Sequence, residues 1–162
     1  VGLMAAAASV GGQNLGAGKP ERTIQAVHSA AGMALAVALF IASLFLLIPH
    51  LLLGVFGVTD PVTVQIAVEL LRYLAVSGVF VCLALTYTGG LQGTGDTKGP
   101  LYISIISQVI LPLGYCWIVS QTRGLSASDI WQAIVMGHIT RAVLSALRFR
   151  QGKWRSIEVR VG

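Results

Sequence analysis

Long apolar stretches alternate with short polar segments along the chain. Residues 23–59, 73–95 and 99–122 contain no Asp, Glu, Lys or Arg. A helix needs about 20 residues to cross a hydrocarbon core of about 30 Å, because it rises about 1.5 Å per residue. Each stretch is long enough for this, so the pattern predicts transmembrane helices rather than the core of a soluble domain.

The predicted fold class is all-α, a polytopic transmembrane helical bundle over residues 1–148. Its spans are predicted at residues 28–53, 62–91, 101–120 and 127–147. Residues 1–12 are apolar but would cover only about 18 Å as a helix, which is too short to cross a bilayer. No basic residue precedes Lys19, so they do not resemble a secretory signal. We interpret them as the end of a helix whose beginning is missing, and the chain as a fragment.

The composition argues against a soluble enzyme. Of the 162 residues, 55% are hydrophobic and 10% are charged, whereas an ordinary soluble domain carries about 25% charged residues. The two cysteines, Cys82 and Cys116, both lie in apolar stretches. We interpret them as buried apolar side chains, and we expect neither a disulfide nor a thiolate metal site.

Basic residues are distributed unevenly between the two ends of the predicted spans. One side carries Lys19, Arg22, Lys98, Arg148, Arg150, Lys153, Arg155 and Arg160, whereas the other carries Arg123, with Arg72 near a helix end. Because cytoplasmic loops are enriched in Lys and Arg, both Gly-rich loops and the C-terminus are predicted to be cytoplasmic. Residues 149–162 are predicted to form a basic tail on anionic lipid, with Trp154 at the interface and no nucleic-acid partner.

Two features predict how the helices pack. Ala30, Ala34, Ala38 and Ala42 recur every four residues, which places four small side chains on one face of a helix. Such a stripe lets a neighbouring helix approach closely. Pro112 lies inside the span 101–120 and is expected to kink it, because proline leaves one carbonyl of the helix without its usual donor.

Polar residues inside the spans are candidates for the wall of a cavity. Ser77, Thr88 and Gln92 share one face of the span 62–91, and Gln108, Pro112 and Tyr115 share one face of the span 101–120. Thr88, Gln92, Gln108 and Tyr115 are predicted to line a substrate cavity. Hydrogen bonding between neighbouring helices is the alternative role for each of them.

Ionisable residues in the last span are further candidates. His138, Arg141 and Ser145 share a face of this helix. A charge at membrane depth is costly, so His138 and Arg141 are candidates for a role in transport. The alternatives are a structural hydrogen bond for His138 and, for Arg141, an ion pair or a side chain that reaches the interface. Nearer a helix end, Glu69 and Arg72 are expected to form an ion pair.

The two Gly-rich loops, residues 11–20 and 93–100, do not match a phosphate-binding loop. The motif G-x-x-x-x-G-K-[ST] needs Ser or Thr after its Lys, but Pro20 follows Lys19, and Asp96 stands where the second loop would need its Lys. Both loops also connect predicted helices, not a strand to a helix. The sequence contains no HExxH, CxxC or nucleophile-elbow motif, and we do not expect an enzyme.

The same loops carry a family resemblance. GQNLGAGKPER, LTYTGGLQGTGDTKGP and RFRQGKWRSI occur in this order. They are similar to two cytoplasmic loops and the end of the last helix in transporters of the multidrug and toxic compound extrusion (MATE) family. The loop residues that carry the resemblance are Gly16, Gly18, Gly93, Gly95, Asp96 and Lys98. It implies a partial C-terminal lobe, from the tail of helix 8 to helix 12.

The resemblance implies a secondary transporter that exports organic cations or drugs by Na⁺ or H⁺ antiport through alternating access. It implies a bacterial inner membrane, no cofactor, and as partners the lipid bilayer, small organic cations and an N-terminal lobe of the same chain. Asp96 and Lys98 would hold the second loop electrostatically. Residues 76–91 contain no Asp or Glu, so the ligand of the coupling ion is not expected on this segment.

Two other functions remain open at the level of sequence. A lipid-linked saccharide flippase of related architecture would need several basic residues in its cavity, and Arg141 is the one candidate at membrane depth. A small stand-alone membrane scaffold is the other alternative. If the chain is one partial lobe, we expect that it does not transport a cationic dye when it is reconstituted by itself.

Overall fold

The structure of the chain, a computed structural model, describes residues 1–156. Within that range the chain is helical, with short turns and no β-strand. Four helical segments are long and apolar enough to cross a membrane: Pro20–Leu47, Pro61–Gly93, Lys98–Thr122 and Ala127–Arg150. The prediction of an all-α transmembrane bundle is confirmed.

The helices are numbered in chain order. They are α1 (Gly2–Gly16), α2 (Pro20–Leu47), α3 (Pro49–Val55), α4 (Pro61–Gly93), α5 (Lys98–Ile105), α6 (Leu111–Thr122) and α7 (Ala127–Arg150). A π-helical turn, Ile106–Ile110, joins α5 to α6, so these three pieces form one continuous rod. A 3₁₀ turn, Lys153–Ser156, follows α7.

The helices extend further into the first Gly-rich segment than predicted. α1 continues to Gly16 instead of ending at residue 12, and the amide of Asn14 donates to a carbonyl of its own helix at 2.8 Å. α2 begins at Pro20, well before residue 28. Proline suits the first position of a helix because its missing N–H would have no partner there. The loop is therefore reduced to residues 17–19.

Helix α4 is the centre of the bundle and contacts α1, α2 and α7. The predicted alanine stripe of α2 is buried at all four positions: Ala30, Ala34, Ala38 and Ala42. Large apolar side chains on the other faces of α2 are exposed, among them Phe40 at 65%. Small residues inside and large ones outside are typical of membrane helices, because lipid chains accept large apolar side chains while helix association depends on close packing.

Helices α1 and α4 meet backbone to backbone through glycines. A Cβ on Gly89 would collide with the carbonyl oxygen of Met4, and one on Gly93 would collide with that of Ala8. A Cβ on Gly12 would lie 2.6 Å from the carbonyl oxygen of Gly93. Gly89 and Gly93 are four residues apart, the spacing that brings two membrane helices into close contact. Any larger side chain would separate the two helices.

The predicted irregularity at Pro112 takes the form of the π-helical turn that precedes it. The backbone N–H of Leu111 donates to the carbonyl of Ile106 in the wide π spacing, and Pro112 cannot donate to the turn below it. This turn packs closely on α7, where a Cβ on Gly137 would lie 2.5 Å from the carbonyl oxygen of Ser107. The helix is thus widened rather than broken at this point.

The segment after α7 folds back against the bundle. Trp154 is 1% exposed, its ring stacks on Phe149 with 5.2 Å between centroids, and its Nε1 donates to the carbonyl of Phe149 at 2.8 Å. The expectation of Trp154 at the membrane interface is therefore wrong. Phe149 offers an aromatic face and, at the end of a helix, a carbonyl that accepts from both Trp154 and the backbone N–H of Gly152. Arg160, assigned to the basic tail, lies outside the described residues.

Side chains at the opposite end of the bundle cap the helices. Ser126 is the N-cap of α7 and forms a capping box with Asp129, which also pairs with Arg123 at 2.5 Å. The prediction that Glu69 and Arg72 form an ion pair is wrong, because residues 1–156 contain no such pair. Glu69 instead accepts a hydrogen bond from Ser128 at 3.2 Å, because α7 brings that hydroxyl to the carboxylate.

Replacing Gly93 by Ala should destabilise the protein. The new methyl group would collide with the backbone of α1, which cannot rotate away as a side chain would. Overpacking of this kind costs about 1–3 kcal/mol. The measurement is the midpoint of thermal unfolding, followed by far-UV circular dichroism of the purified protein in detergent.

Gly78→Ala is the matched control, because it makes the same change in the same helix at a position with no neighbour within 4 Å. It should be neutral or stabilising, since Ala favours a helix by up to about 1 kcal/mol over Gly. Equal effects of the two substitutions would show that contact between α1 and α4 does not limit stability.

Acid should weaken the start of α4 through Asp60. Its carboxylate accepts from the hydroxyl of Thr63 at 2.7 Å and from the backbone N–H of Thr63 at 2.8 Å. These bonds, the hydroxyl first, hold the pKa of Asp60 below its usual value of 3.8. Because the folded pKa is lowered, the stabilisation is present above the unfolded pKa and is lost as pH falls through the folded value.

Asp60→Asn keeps an oxygen that can cap the helix but does not titrate. The unfolding midpoints of the wild type and of this variant should therefore converge, or change order, as pH is lowered from 6 to 2. A difference that stays constant over this range would contradict the proposed role of the carboxylate.

Candidate functional site

A pocket of about 330 Å³ lies where α4, the start of α5 and α7 come together. It is lined by polar side chains with a few apolar ones: Thr88, Gln92, Thr97, Lys98, Pro100, Leu101, Ser104 and Arg141. Its volume is at the small end of the range of ligand sites, about 300–1,000 Å³. Gln92, Lys98 and Leu101 are exposed, so the pocket is open at the rim.

The loop between α4 and α5 sets the position of this pocket. Asp96 is 4% exposed, and its Oδ2 accepts from Nε of Arg148 on α7 at 2.8 Å. Its Oδ1 accepts from the backbone N–H of Gly99 at 3.0 Å, which caps the start of α5. A Cβ on Gly99 would lie within 3 Å of both partners of the ion pair. The loop, α5 and α7 are therefore joined at one point.

Five buried polar side-chain atoms have no hydrogen-bond partner within the described chain, and two of them, on Thr88 and Arg141, belong to residues that line the pocket. The five atoms are Thr88 Oγ1, Gln108 Nε2, His138 Nδ1, Arg141 Nε and Ser145 Oγ. Three of these residues, His138, Arg141 and Ser145, lie on one face of α7, as their spacing of three and four residues predicts. An unsatisfied buried group costs about 1–3 kcal/mol. Such a cluster is therefore expected to meet water, an ion or a ligand.

The hydroxyl groups of Thr86 and Thr88 differ in their hydrogen bonding. Both side chains are on α4 and nearly fully buried. Thr86 Oγ1 donates to the carbonyl of Cys82 at 2.8 Å, as hydroxyls in membrane helices often do. Thr88 Oγ1 makes no such bond and lines the pocket.

The predicted cavity residues divide into two groups. Thr88 and Gln92 line the pocket together with Arg141, whereas Gln108 and Tyr115 do not. A Cβ on Gly137 would lie 3.5 Å from Nε2 of Gln108, so Gln108 lies against α7.

Tyr115 donates to Gln132 at 3.1 Å, and Gln132 donates to Tyr73 at 3.3 Å, so this chain of hydrogen bonds links α6, α7 and α4. His138 is also outside the pocket lining.

Sequence reasoning missed Thr97 and Ser104. Together with Pro100 and Leu101 they occupy positions i, i+3, i+4 and i+7, which form one face of α5. This spacing was visible in the sequence. Thr97 lies at the N-cap of α5, where polar residues are common, and Ser104 is a single small hydroxyl in an apolar stretch, so their signal was weak.

The residues of the loop motif have different structural roles. Gly18 and Gly95 have φ of 70° and 90°, a left-handed conformation that favours glycine, while Gly16 has open space where a Cβ would lie and Gly93 contacts α1. Asp96 is held by Arg148 and not by Lys98, which corrects the expectation that these two loop residues act together. Lys98 is directed to the pocket instead.

A second cavity, of about 640 Å³, lies at the opposite end of the bundle. Its charged and titratable lining residues are His50, Glu69 and Arg72. None of the unpartnered buried atoms belongs to it. Residues 1–156 contain no cluster of three or more side chains that would suit a metal ion. The first pocket is therefore the better candidate site.

Comparison with known proteins identifies the family. The MatE family model matches residues 1–118. The chain belongs to the MATE family. A "Probable multidrug resistance protein NorM" of Deinococcus radiodurans is 30% identical over 138 residues, which is 83% of this chain and 30% of the relative. The protein of that name in Thermotoga maritima is 24% identical, over 94% of this chain and 33% of the relative.

A "Multidrug resistance protein NorM" of Burkholderia vietnamiensis is 30% identical over 83% of this chain and 30% of its own length. The chain therefore spans about a third of the length of these curated relatives. Membership of this family together with four helices long and apolar enough to span a membrane makes the chain part of an integral membrane protein. The MatE match ends before α7, which carries His138 and Arg141.

Replacing Asp96 by Asn should loosen the junction of the loop, α5 and α7. Arg148 would lose its charged partner while it remains largely buried, and hydrogen bonds to charged groups are worth about 1.5–3 kcal/mol. We expect the unfolding midpoint in detergent to fall accordingly. In a double-mutant cycle, Asp96→Asn and Arg148→Gln should show coupling, because they remove the same bond.

Arg150→Gln is the control for this pair. It removes the same charge from the same helix, but Arg150 is exposed and forms no ion pair within the described residues. Its effect should lie within about 0.5 kcal/mol of zero, as for most surface substitutions. Full additivity of the Asp96 and Arg148 variants would refute the coupling.

Proposed function

We propose that this chain is part of a secondary transporter that exports organic cations and related amphipathic drugs. The observation that supports this most directly is a polar pocket, with unpartnered buried groups, between spanning helices of a MATE-family chain. An ionisable side chain such as Arg141 within a spanning helix is costly, and such residues commonly mark the path of a substrate or an ion.

The pocket would bind an amphipathic drug through a few polar contacts and an apolar surface. Thr88 and Ser104 offer hydroxyls and Gln92 an amide, while Pro100 and Leu101 offer apolar surface. No carboxylate of residues 1–156 lines it. Arg141 and Lys98 also line the pocket and would repel the charged end of an organic cation. Only its apolar body would therefore lie here, and its charge, like the coupling Na⁺ or H⁺, would be met by a carboxylate in the N-terminal lobe of a whole transporter.

The packing suggests which parts would move together during alternating access. Helices α1 and α4 are in backbone contact at Gly93, and the loop after α4 is joined to α7 through Asp96 and Arg148. These helices would move as one unit. The rod of α5 and α6 contains the π-helical turn and Pro112, and such irregular turns are where helices bend. Bending there would open or close the pocket.

The proposed orientation places the pocket on the cytoplasmic side. The end of the bundle that holds the loops at residues 17–19 and 94–97 and the end of α7 carries seven of the eleven basic residues: Lys19, Arg22, Lys98, Arg148, Arg150, Lys153 and Arg155. Cytoplasmic loops are rich in Lys and Arg. The named relatives are bacterial. We therefore place the protein in a bacterial inner membrane with its C-terminus in the cytoplasm.

Transport tests this proposal. The complete product of the gene that encodes the chain would be reconstituted in liposomes, and the movement of ethidium would be followed under imposed Na⁺ and H⁺ gradients. Thr88→Val should lower the transport rate about fivefold, because it removes one hydrogen bond of about 1 kcal/mol from the pocket. Thr86→Val should leave transport near the wild-type rate, since its hydroxyl bonds only to its own helix.

Two results would contradict the proposal. If ethidium does not move under either gradient although the protein is folded, the chain does not belong to an exporter of organic cations. If Thr86→Val and Thr88→Val have equal effects, hydroxyl loss acts through helix stability and the pocket is not the site of binding.

A further inference from the structure

The pocket between α4, α5 and α7 carries positive charge and no negative charge. Arg141 and Lys98 both line it, and neither forms an ion pair within residues 1–156. The carboxylates of that range are placed elsewhere: Asp96 pairs with Arg148, Asp129 with Arg123 and Glu21 with Arg155, Asp60 caps α4, and Glu69 accepts from Ser128. The two cations of the pocket are thus uncompensated by the described chain.

Hydrogen-bond donors converge on the same space. Thr88 is 2% exposed, and its Oγ1 has no hydrogen-bond partner within the described chain. The buried Nε of Arg141 also has no partner there. The hydroxyls of Thr97 and Ser104 also line the pocket. A guanidinium offers five N–H donors in a plane and accepts no hydrogen bond. The donors of this pocket therefore lack a negatively charged group that would accept their hydrogen bonds.

The depth of the pocket decides which anions can reach it. Lys98 is the first residue of α5, at the level of the loop. Arg141 lies nine residues before the end of α7 at Arg150, which is about 14 Å along a helix. The site therefore extends from the end of the bundle to a shallow depth inside it. Both a dissolved anion and the headgroup of a lipid can reach such a position.

The geometry points to a binding site for one oxyanion, a phosphate or carboxylate group, held by the guanidinium of Arg141. Lys98 supplies the second positive charge at the rim, and Thr88 donates a hydrogen bond from the buried wall. Arginine binds such groups through two parallel N–H bonds, and the bound anion satisfies a guanidinium whose isolation at depth is costly. Basic pockets between transmembrane helices bind anionic headgroups in this way.

This site lies in the pocket to which the proposed drug contacts also belong, but it goes beyond the proposed export of organic cations. It does not depend on that proposal, because anion binding is measured without transport. Inorganic phosphate is the first probe. The complete product of the gene that encodes the chain, purified in an uncharged maltoside detergent at fixed ionic strength, is dialysed to equilibrium against labelled phosphate. We expect one phosphate per chain. Arg141→Gln should weaken binding about tenfold, as for the loss of a charge-assisted hydrogen bond.

Two further variants keep the test decisive if Arg141→Gln fails to fold. Lys98 is exposed and forms no ion pair within residues 1–156, so Lys98→Gln should fold normally and weaken binding about threefold. Arg141→Lys keeps the charge and should retain part of the affinity. Arg150→Gln is the matched control, an exposed arginine on the same helix, and should bind phosphate as the wild type does.

Lipid is the second probe and distinguishes the two sources of the oxyanion. The same proteins are mixed with phosphatidylglycerol or phosphatidylcholine, and bound lipid is counted by native mass spectrometry. If the lipid headgroup is the ligand, one phosphatidylglycerol binds, displaces phosphate and is lost in Arg141→Gln, whereas phosphatidylcholine binds more weakly because its choline offsets the charge. If phosphate binds and phosphatidylglycerol does not displace it, the site takes a soluble anion.

The inference is overturned if neither probe binds the folded wild type. It is also overturned if Arg150→Gln weakens binding as much as Lys98→Gln does, since the effect would then reflect total charge and not the pocket.

Discussion

The close contact between the backbones of α1 and α4 constrains the whole bundle. It exists because Gly12, Gly89 and Gly93 present no side chain where the two helices cross. In a bilayer no hydrophobic force drives helices together, so packing at short distance has to do so. With α4 held in this way, its other faces contact α2 and α7. The position of Thr88 opposite α7 is a consequence of this packing.

The pocket is formed where this tight packing ends. Beyond Gly93 the chain turns through a short loop, and the buried carboxylate of Asp96 joins that loop to Arg148 on α7. The ion pair holds the start of α5 against α7, beside the pocket that Thr88 and Arg141 line. The Asp96–Arg148 ion pair thus lies beside the unpartnered polar atoms of Thr88 and Arg141. The ion pair gives the site its shape, and the unpartnered atoms leave it able to bind a ligand.

Several side chains were correctly recognised as important in the sequence but given the wrong partner. Asp96 was expected to act with Lys98, two residues away, and binds Arg148 instead. Glu69 was expected to pair with Arg72, but it accepts a hydrogen bond from Ser128 of α7 instead. Trp154 was assigned to the lipid interface and stacks on Phe149. In each case the sequence pattern identifies a side chain that needs a partner. The partner itself lies elsewhere in the chain and is brought to that side chain only by folding.

The chain by itself determined the class of the protein. Charge-free stretches long enough to span a bilayer, small residues at four-residue spacing and two Gly-rich loops are local properties, and they predict the helices and the MATE family. Tertiary structure alone decided that Thr88 and Gln92 share a pocket with Arg141 while Gln108 and Tyr115 do not. The physical reason is that periodicity shows which face of a helix a residue occupies, but only the rotation and depth of neighbouring helices decide what that face meets.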